Sequence, residues 1–328
     1  MSDGLIEFGI GETRAVVLAD GVIVEVHVER DGGWRAGDVR EVRLTAILQP
    51  GVRGIVAVGG VEALLEPLPR ILTEGVSLRV KVVREALVEA GRVRLAKVVA
   101  TSDPVRPGSG LAERMRERGF SLHKIDAHGP DRLEQAGWTE AIEDAIAGHI
   151  TFAGGSLTIS PTPAMTVIDV DGALPPLELA LAAAHAVGAA IRRFDLTGSI
   201  GIDFPTVGDK AARTAIGSRL DAALPAPFER TAVNGFGFAQ IVRPRIRPSV
   251  IEVLRANPAS TAALRLLRQA ERSGEPGARV LTAAPAVVAW LESCSALLSE
   301  LARRTGTLVK LQADACLAIS AGYVAPGP

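Results

Sequence analysis

Between Gly154 and Phe204 the chain carries two short apolar runs, each ending in aspartate. They are Met165-Thr-Val-Ile-Asp169-Val-Asp171 and Ser199-Ile-Gly-Ile-Asp203-Phe204, separated by an alanine- and leucine-rich segment from Leu177 to Arg193. The middle segment has helical periodicity, so the pattern predicts strand, helix and strand, a βαβ unit with parallel strands. Parallel pairing carries Asp169 and Asp203 to the same carboxyl edge of the sheet, where sites of open α/β sheets collect.

Upstream, residues 5 to 100 read as all-β. Arg14-Ala-Val-Val-Leu and Val22-Ile-Val-Glu-Val-His-Val flank Ala19-Asp20-Gly21, a hairpin signal. Further strand-like runs cover Val39–Leu48, Gly54–Val58, Ser77–Arg84 and Arg92–Val99. Short strands at this spacing predict a small barrel or sandwich, with an oligonucleotide-binding-type barrel among the options. Ser102-Asp-Pro-Val-Arg-Pro-Gly-Ser-Gly has a linker composition and marks a boundary near 101–110. Leu111–Arg118 is a short charged helix, and Trp138–Ala147 is an amphipathic one that leads into Gly154-Gly155.

A strand is expected at Ser156–Ser160, a turn at Pro161-Thr-Pro163 and a helix from Asp209 to Leu224, ended by Pro225 and Pro227. Two strand-like runs, Glu229–Val233 and Phe238–Val242, flank Asn234-Gly-Phe-Gly. Helices are expected at Ile251–Arg255 and Ser260–Ser273, then a small α/β tail with strands at Arg279–Thr282, Thr307–Gln312 and Cys316–Ser320.

With 328 residues the chain can hold two or three domains. Its formal net charge of -1 removes any global bias toward nucleic acid, so an anionic partner needs a local basic patch. Cys294 and Cys316 form no CxxC pair, giving neither a zinc signature nor a disulfide framework; a reducing cytoplasm is the expected setting. The first residues have no basic region followed by an apolar run, so no secretory signal is expected, and no apolar stretch is long enough to span a bilayer.

The carboxylates carry the chemistry. Asp169 and Asp203 at one edge, with Asp171 beside them, repel one another unless a cation sits between them. Oxygen-only ligands suit a hard ion such as magnesium or manganese. Two other readings stand beside this one. Asp169-Val-Asp171-Gly172 resembles the opening motif of haloacid-dehalogenase-type phosphatases, in which the first Asp is the nucleophile and the second the acid/base. Gly208-Asp209-Lys210 is similar, on the surface, to that superfamily's later Gly-Asp element. Alternatively, the aspartates cap the helices that follow. Arg243, Arg245 and Arg247 alternate along an extended run, which places them on one face and suits a phosphate backbone as well as a solvated edge. His185 sits among alanines, and His123, His128 and His149 have no partner at helical or strand spacing. Gly235-Phe-Gly237 lacks the lysine and helix start of a phosphate loop.

At these residues the chain resembles the ribonuclease E/G family of bacterial endoribonucleases. The resemblance runs from Gly154-Gly-Ser-Leu-Thr-Ile-Ser through Ile168-Asp169-Val-Asp171-Gly to Asp195-Leu-Thr-Gly-Ser-Ile-Gly-Ile-Asp203-Phe. It continues in Gly237-Phe-Ala-Gln-Ile-Val-Arg243-Pro-Arg245 and Pro248-Ser249, and Leu72-Thr-Glu-Gly-Val-Ser-Leu-Arg-Val-Lys-Val-Val-Arg-Glu is similar to the family's S1 region. The resemblance implies a cleaver of single-stranded RNA that leaves 5′-phosphate and 3′-hydroxyl ends. Asp169 and Asp203 would hold Mg2+ (Mn2+ may substitute), Asp171 would join the catalytic set, and Arg230, Arg243, Arg245 and Arg247 would contact RNA. Arg230 lies near the place of a 5′-phosphate-contacting arginine in the family.

Several positions depart from the family. Asp171 stands where the family has Asn, and an ionised Asp cannot donate a hydrogen bond; its expected part in catalysis is instead as a further metal ligand or in orienting water. Thr162-Pro163-Ala164 replaces Thr-Glu-Ala. The RNase H-like and 5′-sensor region shrinks to about Gly108–Thr151, and the CPxC zinc link after Ser249 is missing, so a homo-oligomer, if formed, has no zinc link. Ile55, Val56, Leu64 and Leu65 take the place of stacking aromatics.

The expected fold is an α+β and α/β multidomain chain. It has an S1-like (OB-type) β-barrel at 1–101, a linker and helical connector at 102–150, an α/β catalytic domain at 151–256 and a small C-terminal α/β domain at 257–328. The rival expectation is an RNA-binding relative that has lost catalysis.

Overall fold

The computed structural model describes residues 3–89, 92–274 and 277–327. Residues 90–91 of the expected all-β stretch, and the first two residues of the expected signal-free start, lie outside them. β1 (Asp3–Phe8), β2 (Glu12–Ala19) and β3 (Val22–Arg30) form an antiparallel meander. The β2–β3 turn is the expected Asp20-Gly21, with φ of 51° and 79° at its two residues. Such left-handed pairs match the twist of the strands they join.

β4 (Val39–Gln49), β5 (Arg53–Val58), β6 (Val61–Leu65), β7 (Ser77–Arg84) and β10 (Ala96–Ala100) close into a barrel in the order β10-β6-β5-β4-β7. Between β7 and β10, β8 (Leu87–Glu89) and β9 (Arg92–Arg94) pair as a separate hairpin, so the expected strand at 92–99 is broken at Leu95. Val42, Leu44, Val56, Leu65, Val80, Val82 and Val98 fill the barrel interior with Trp34. Val56 and Leu65 are therefore core residues, whereas Ile55 and Leu64 pair with each other and remain partly exposed. The barrel begins at Val39 rather than at the start of the chain, because the first three strands pair elsewhere.

After α1 (Leu111–Glu117), β11 (Ser121–Lys124) adds parallel to β1, giving the sheet β11-β1-β2-β3. The expected connector thus carries a strand as well as α2 (Arg132–Gln135) and α3 (Trp138–Ala147).

Next comes a six-stranded sheet. Its members are β12 (His149–Phe152), β13 (Gly155–Pro161), β14 (Thr166–Gly172), β15 (Gly198–Asp203), β16 (Glu229–Arg230) and β17 (Phe238–Arg243), in the order β12-β13-β14-β15-β17-β16. The one parallel pair is β14–β15, joined by α4 (Pro176–Arg193), which is the expected βαβ unit. α5 (Lys210–Ala223) follows β15. Alternation sets the layers. Leu157, Ile159, Ile168, Val170, Ile200, Ile202, Ala239 and Ile241 are buried, and α4 buries Leu179, Ala183, Val187 and Ile191. α5 packs closely on α4, since a Cβ at Gly188 would lie 2.4 Å from that of Ala223.

The chain ends with α6 (Val250–Ala256), α7 (Pro258–Arg272), β18 (Arg279–Ala283), α8 (Pro285–Ser293), α9 (Ser295–Thr305), β19 (Val309–Ala313) and β20 (Tyr323–Pro326). The strands order as β19-β18-β20. The strand expected at Cys316–Ser320 is a turn, in which Asp314 Oδ1 accepts from the Cys316 N–H at 2.8 Å. A short polar side chain that closes its own turn outcompetes a strand ladder.

The chain divides into two compact units. One gathers Met1–Asp31, Phe120–Ala141 and Val253–Pro328; the other holds Gly32–Gly119 and Ile142–Glu252. The first unit has an apolar core of α7, β18, α8 and α9 side chains with Ile10. It also buries a charge network. Arg14, 1% exposed, donates to Glu7 and, at 2.9 Å, to Asp131, and its guanidinium lies 5.1 Å from the Trp138 ring centre. Arg272 donates to the same Glu7 and sits 3.2 Å from Asp131, while Glu12 pairs with Arg30 at 2.7 Å and Arg268 at 2.6 Å. Each charge of this network has an opposite partner, without which its desolvation would cost several kcal/mol. Among the described residues, no helix is long and apolar enough to cross a membrane.

Candidate functional site

Register brings the two aspartates singled out in the sequence together. On the parallel β14–β15 pair, Asp169 stands directly opposite Asp203. Strand neighbours lie about 4.8 Å apart and paired residues point to the same face, so both carboxylates project from one spot at the carboxyl end of β15. Both are exposed, while their chain neighbours Ile168, Val170, Ile202 and Phe204 are buried. Among the described residues, no hydrogen bond or ion pair engages either carboxylate.

The row extends further than the sequence suggests. His149 pairs with Thr158, Thr158 with Asp169, Asp169 with Asp203, and Asp203 with Phe238. One line across five strands therefore carries an imidazole, a hydroxyl, two carboxylates and an aromatic ring. His149 has no histidine or cysteine partner along the chain, so spacing alone does not single it out. A signal does exist: His149 and Thr158 are mirror positions about the Ala153-Gly154 turn, and Thr158 and Asp169 are mirror positions about Pro163-Ala164. Reflecting strands through their hairpins aligns the row.

Asp171 lies two residues beyond Asp169, on the same face and opposite Ser156. Two residues of strand rise are about 6.6 Å. Among the described residues, no group of three or more His, Cys, Asp or Glu is placed to hold a metal ion. A pair of exposed carboxylates fits magnesium, which keeps much of its water shell and takes one or two carboxylates together with substrate phosphate oxygens.

The helix-capping reading does not describe these aspartates. α4 is preceded by Pro175 without a side-chain cap, and α5 is capped by Asp209, whose carboxylate accepts from the Ala212 N–H at 2.9 Å. That hydrogen bond also occupies the aspartate of Gly208-Asp209-Lys210, the segment likened to a later phosphatase element.

The arginines are placed apart from the carboxylate row. Arg230 makes a bidentate pair with Asp221 at 2.5 and 2.6 Å and donates to the Thr231 carbonyl at 2.8 Å. The Asp221 hydrogen bond raises the Arg230 pKa, and the arginine lowers that of Asp221. Arg243 donates to the Leu196 carbonyl, Arg245 to Glu252, and Arg247 lies 3.6 Å from Glu85. β17 ends at Arg243, and each of the three guanidiniums has a partner within its own unit.

Beside Asp203, the β16–β17 loop is tied to the strand end. Asn234 Oδ1 accepts from the N–H groups of Phe236 (2.9 Å) and Phe238 (3.0 Å). The Phe204 N–H donates to the Gly237 carbonyl at 3.2 Å, and the Thr206 hydroxyl to that of Phe236 at 3.2 Å. Gly237 is needed there: its φ is +91°, and a Cβ would lie 2.1 Å from the Phe204 carbonyl oxygen. Phe238 in turn lies over Gly201, where a Cβ would come 2.7 Å from its ring.

Residues 109–246 match the family model of the ribonuclease E/G family. The matched span includes the carboxylate row, α4, α5 and the Asn234–Phe238 loop, and stops short of the last helices and of the barrel. No curated protein matches the chain.

Proposed function

From the premise that the chain belongs, through residues 109–246, to the ribonuclease E/G family, we propose that it is a magnesium-dependent endoribonuclease acting on single-stranded RNA. The observation that carries this reading is the in-register pair Asp169 and Asp203, exposed at a carboxyl edge and, among the described residues, engaged by no ion pair. Asp169 and Asp203 would hold the ion; when bound, it would supply Lewis-acid activation of water and neutralise charge gathering on the scissile phosphate. The chain's own groups do the rest. The five-strand row offers Thr158 to hydrogen-bond phosphate oxygens and His149, at roughly 10 Å from Asp169 by strand spacing, to contact a neighbouring nucleotide. α4 and α5 follow β14 and β15, so their N-termini start from the edge that bears the carboxylates, and their dipoles favour an anion there. The barrel, read as S1-like, would add sequence-tolerant contact to the strand. Products would carry 5′-phosphate and 3′-hydroxyl ends.

The test uses a 5′-monophosphorylated, AU-rich RNA oligonucleotide with and without magnesium. Wild type is expected to cleave it only with the metal, and Asp203→Asn to lose at least about a hundredfold in rate, within the range for removing a group that acts in the transition state. Undiminished magnesium-dependent cleavage by Asp203→Asn would sink the metal site. Binding without cleavage by wild type would assign the protein to a non-catalytic RNA-binding role.

A further inference from the structure

We propose that Phe236 is a base-stacking platform that holds one unpaired nucleobase of the RNA next to the Asp169–Asp203 pair. The inference rests on the ribonuclease reading and adds a subsite to it. Phe236 is 82% exposed, the most exposed aromatic side chain among the described residues. Burying an aromatic ring is one of the largest favourable terms a side chain can contribute, yet this one is left in solvent. The surrounding loop does not leave it to drift. The backbone N–H of Phe236 donates to Asn234 Oδ1, its carbonyl accepts from the Thr206 hydroxyl, and the next residue is fixed against Phe204 in a conformation that requires glycine. A rigid backbone with an unburied ring at its tip costs little further ordering when a flat partner arrives.

The location selects the partner. Phe236 is two residues from Phe238, the register partner of Asp203, so no more than about 7 Å of chain separates the tip from the carboxylate row. That matches the reach from a phosphate to the base of an adjoining nucleotide. Asn234 and Thr206 hold the loop through hydrogen bonds and bring no charge to it, so what the tip offers is a π face. Every base has such a face, and single-strand binders use aromatic platforms for sequence-tolerant contact. The barrel positions where stacking aromatics are expected hold aliphatic residues, of which Val56 and Leu65 are buried in its core. Phe236 supplies on the α/β sheet a ring that those positions lack.

The experiment follows a single-stranded RNA oligonucleotide carrying 2-aminopurine, titrated with the full chain in EDTA so that no cleavage occurs. Stacking on the ring is expected to quench the fluorophore. Phe236→Ala should abolish the quench at one probe position and weaken binding by roughly 5- to 100-fold, the range for one lost base–aromatic stack. Phe236→Trp should restore both, and an abasic site at that position should make wild type and Phe236→Ala bind alike. Equal quench and equal affinity for Phe236→Ala overturn the proposal, as does failure of wild type to bind any single strand. A change in oligomeric state on Phe236→Ala with unaltered RNA affinity also overturns it, because the ring would then cover a second copy. The substitution removes an exposed side chain, so folding is not at stake. Because the assay contains no metal, retained cleavage by Asp203→Asn would sink the metal site without touching this result, and the reverse holds equally.

Discussion

Arg14→Met tests the charge network of the first unit. Arg14 is almost wholly buried and serves two carboxylates, Glu7 and Asp131, while its guanidinium lies on Trp138. Met preserves the unbranched stem and restores apolar contact with the indole, so little of the effect comes from a cavity. Removing one partner of a buried ion pair costs about 3–5 kcal/mol, chiefly because the remaining charge is stranded. Here Arg272 remains against both carboxylates, which places the electrostatic loss near the lower end. The lost cation–π contact adds about 1–2 kcal/mol in a desolvated setting, and the methionine packing offsets part of it. The expected destabilisation is about 3–4 kcal/mol, read by urea denaturation with the fluorescence of Trp138 as a reporter. The double variant Glu7→Gln with Arg14→Met sharpens the test. Neutralising Glu7 removes the stranded charge, so the pair should cost less than the two single variants together by at least about 1 kcal/mol. A loss under about 1 kcal/mol for Arg14→Met, or strictly additive variants, refutes the account of this network as a mutually dependent set of charges.

Three further outcomes are expected. Burial alone would raise the pKa of Glu12 and of Asp131, but arginines outweigh it, Arg30 and Arg268 at Glu12 and Arg14 at Asp131, and both carboxyls fall below their ordinary values of 4.5 and 3.8. A depressed native value means their stabilisation is complete above those values and lost as pH falls through the lowered ones; a melting temperature that stays level from about pH 5 down to about pH 2.5 would contradict this. On the proposed nuclease reading, Asp171→Asn removes a negative charge two residues from Asp169 and supplies a hydrogen-bond donor; it should tighten single-stranded RNA binding a few-fold without altering the proposed requirement for magnesium, and weaker binding would count against the repulsive role. Gly237→Ala meets both a left-handed backbone and the Phe204 carbonyl, so it should cost about 1–3 kcal/mol in urea unfolding and erase the Phe236-dependent quench.

The sequence made the βαβ unit legible because two signals agreed there. A helical segment between apolar runs dictates parallel pairing, and parallel pairing of runs that both end in aspartate dictates their meeting; Asp169 opposite Asp203 follows from those two steps. The Asp20-Gly21 hairpin was legible for the same reason, local chemistry and pattern pointing one way, whereas strand spacing left a barrel and a sandwich both open. Membership of β1–β3 was not legible. Their alternation fits a barrel edge as well as a separate sheet, and the choice is made by β11, a four-residue strand over a hundred positions away with too little pattern to announce itself. The arginine run was legible only in part, for a related reason. Alternation holds only while the backbone stays extended, and Arg243 ends β17. Phe236 was invisible as a candidate because exposure is a tertiary property, and a Gly-Phe-Gly turn carries no periodicity from which to infer it.

The three-part makeup of the first unit bears on how the protein must be made. A ribosome delivers β1–β3 first and the residues from Val253 onward last, roughly 220 residues later. At about 5–20 residues per second the early meander waits on the order of 10–45 seconds for the helices that complete its unit. During that interval Ile10, buried at the end among side chains of α7, α8 and α9, has no late segment to cover it, while Glu7 lacks Arg272 and Glu12 lacks Arg268. The second unit, delimited by Gly32 and Glu252, has all its parts before that point. Shortening the chain at its C-terminus therefore does not trim a tail. It withholds the longest of the three segments of a unit begun at the first strand, and such chains should gather with holdase chaperones or in inclusion bodies while their carboxylate row is already assembled.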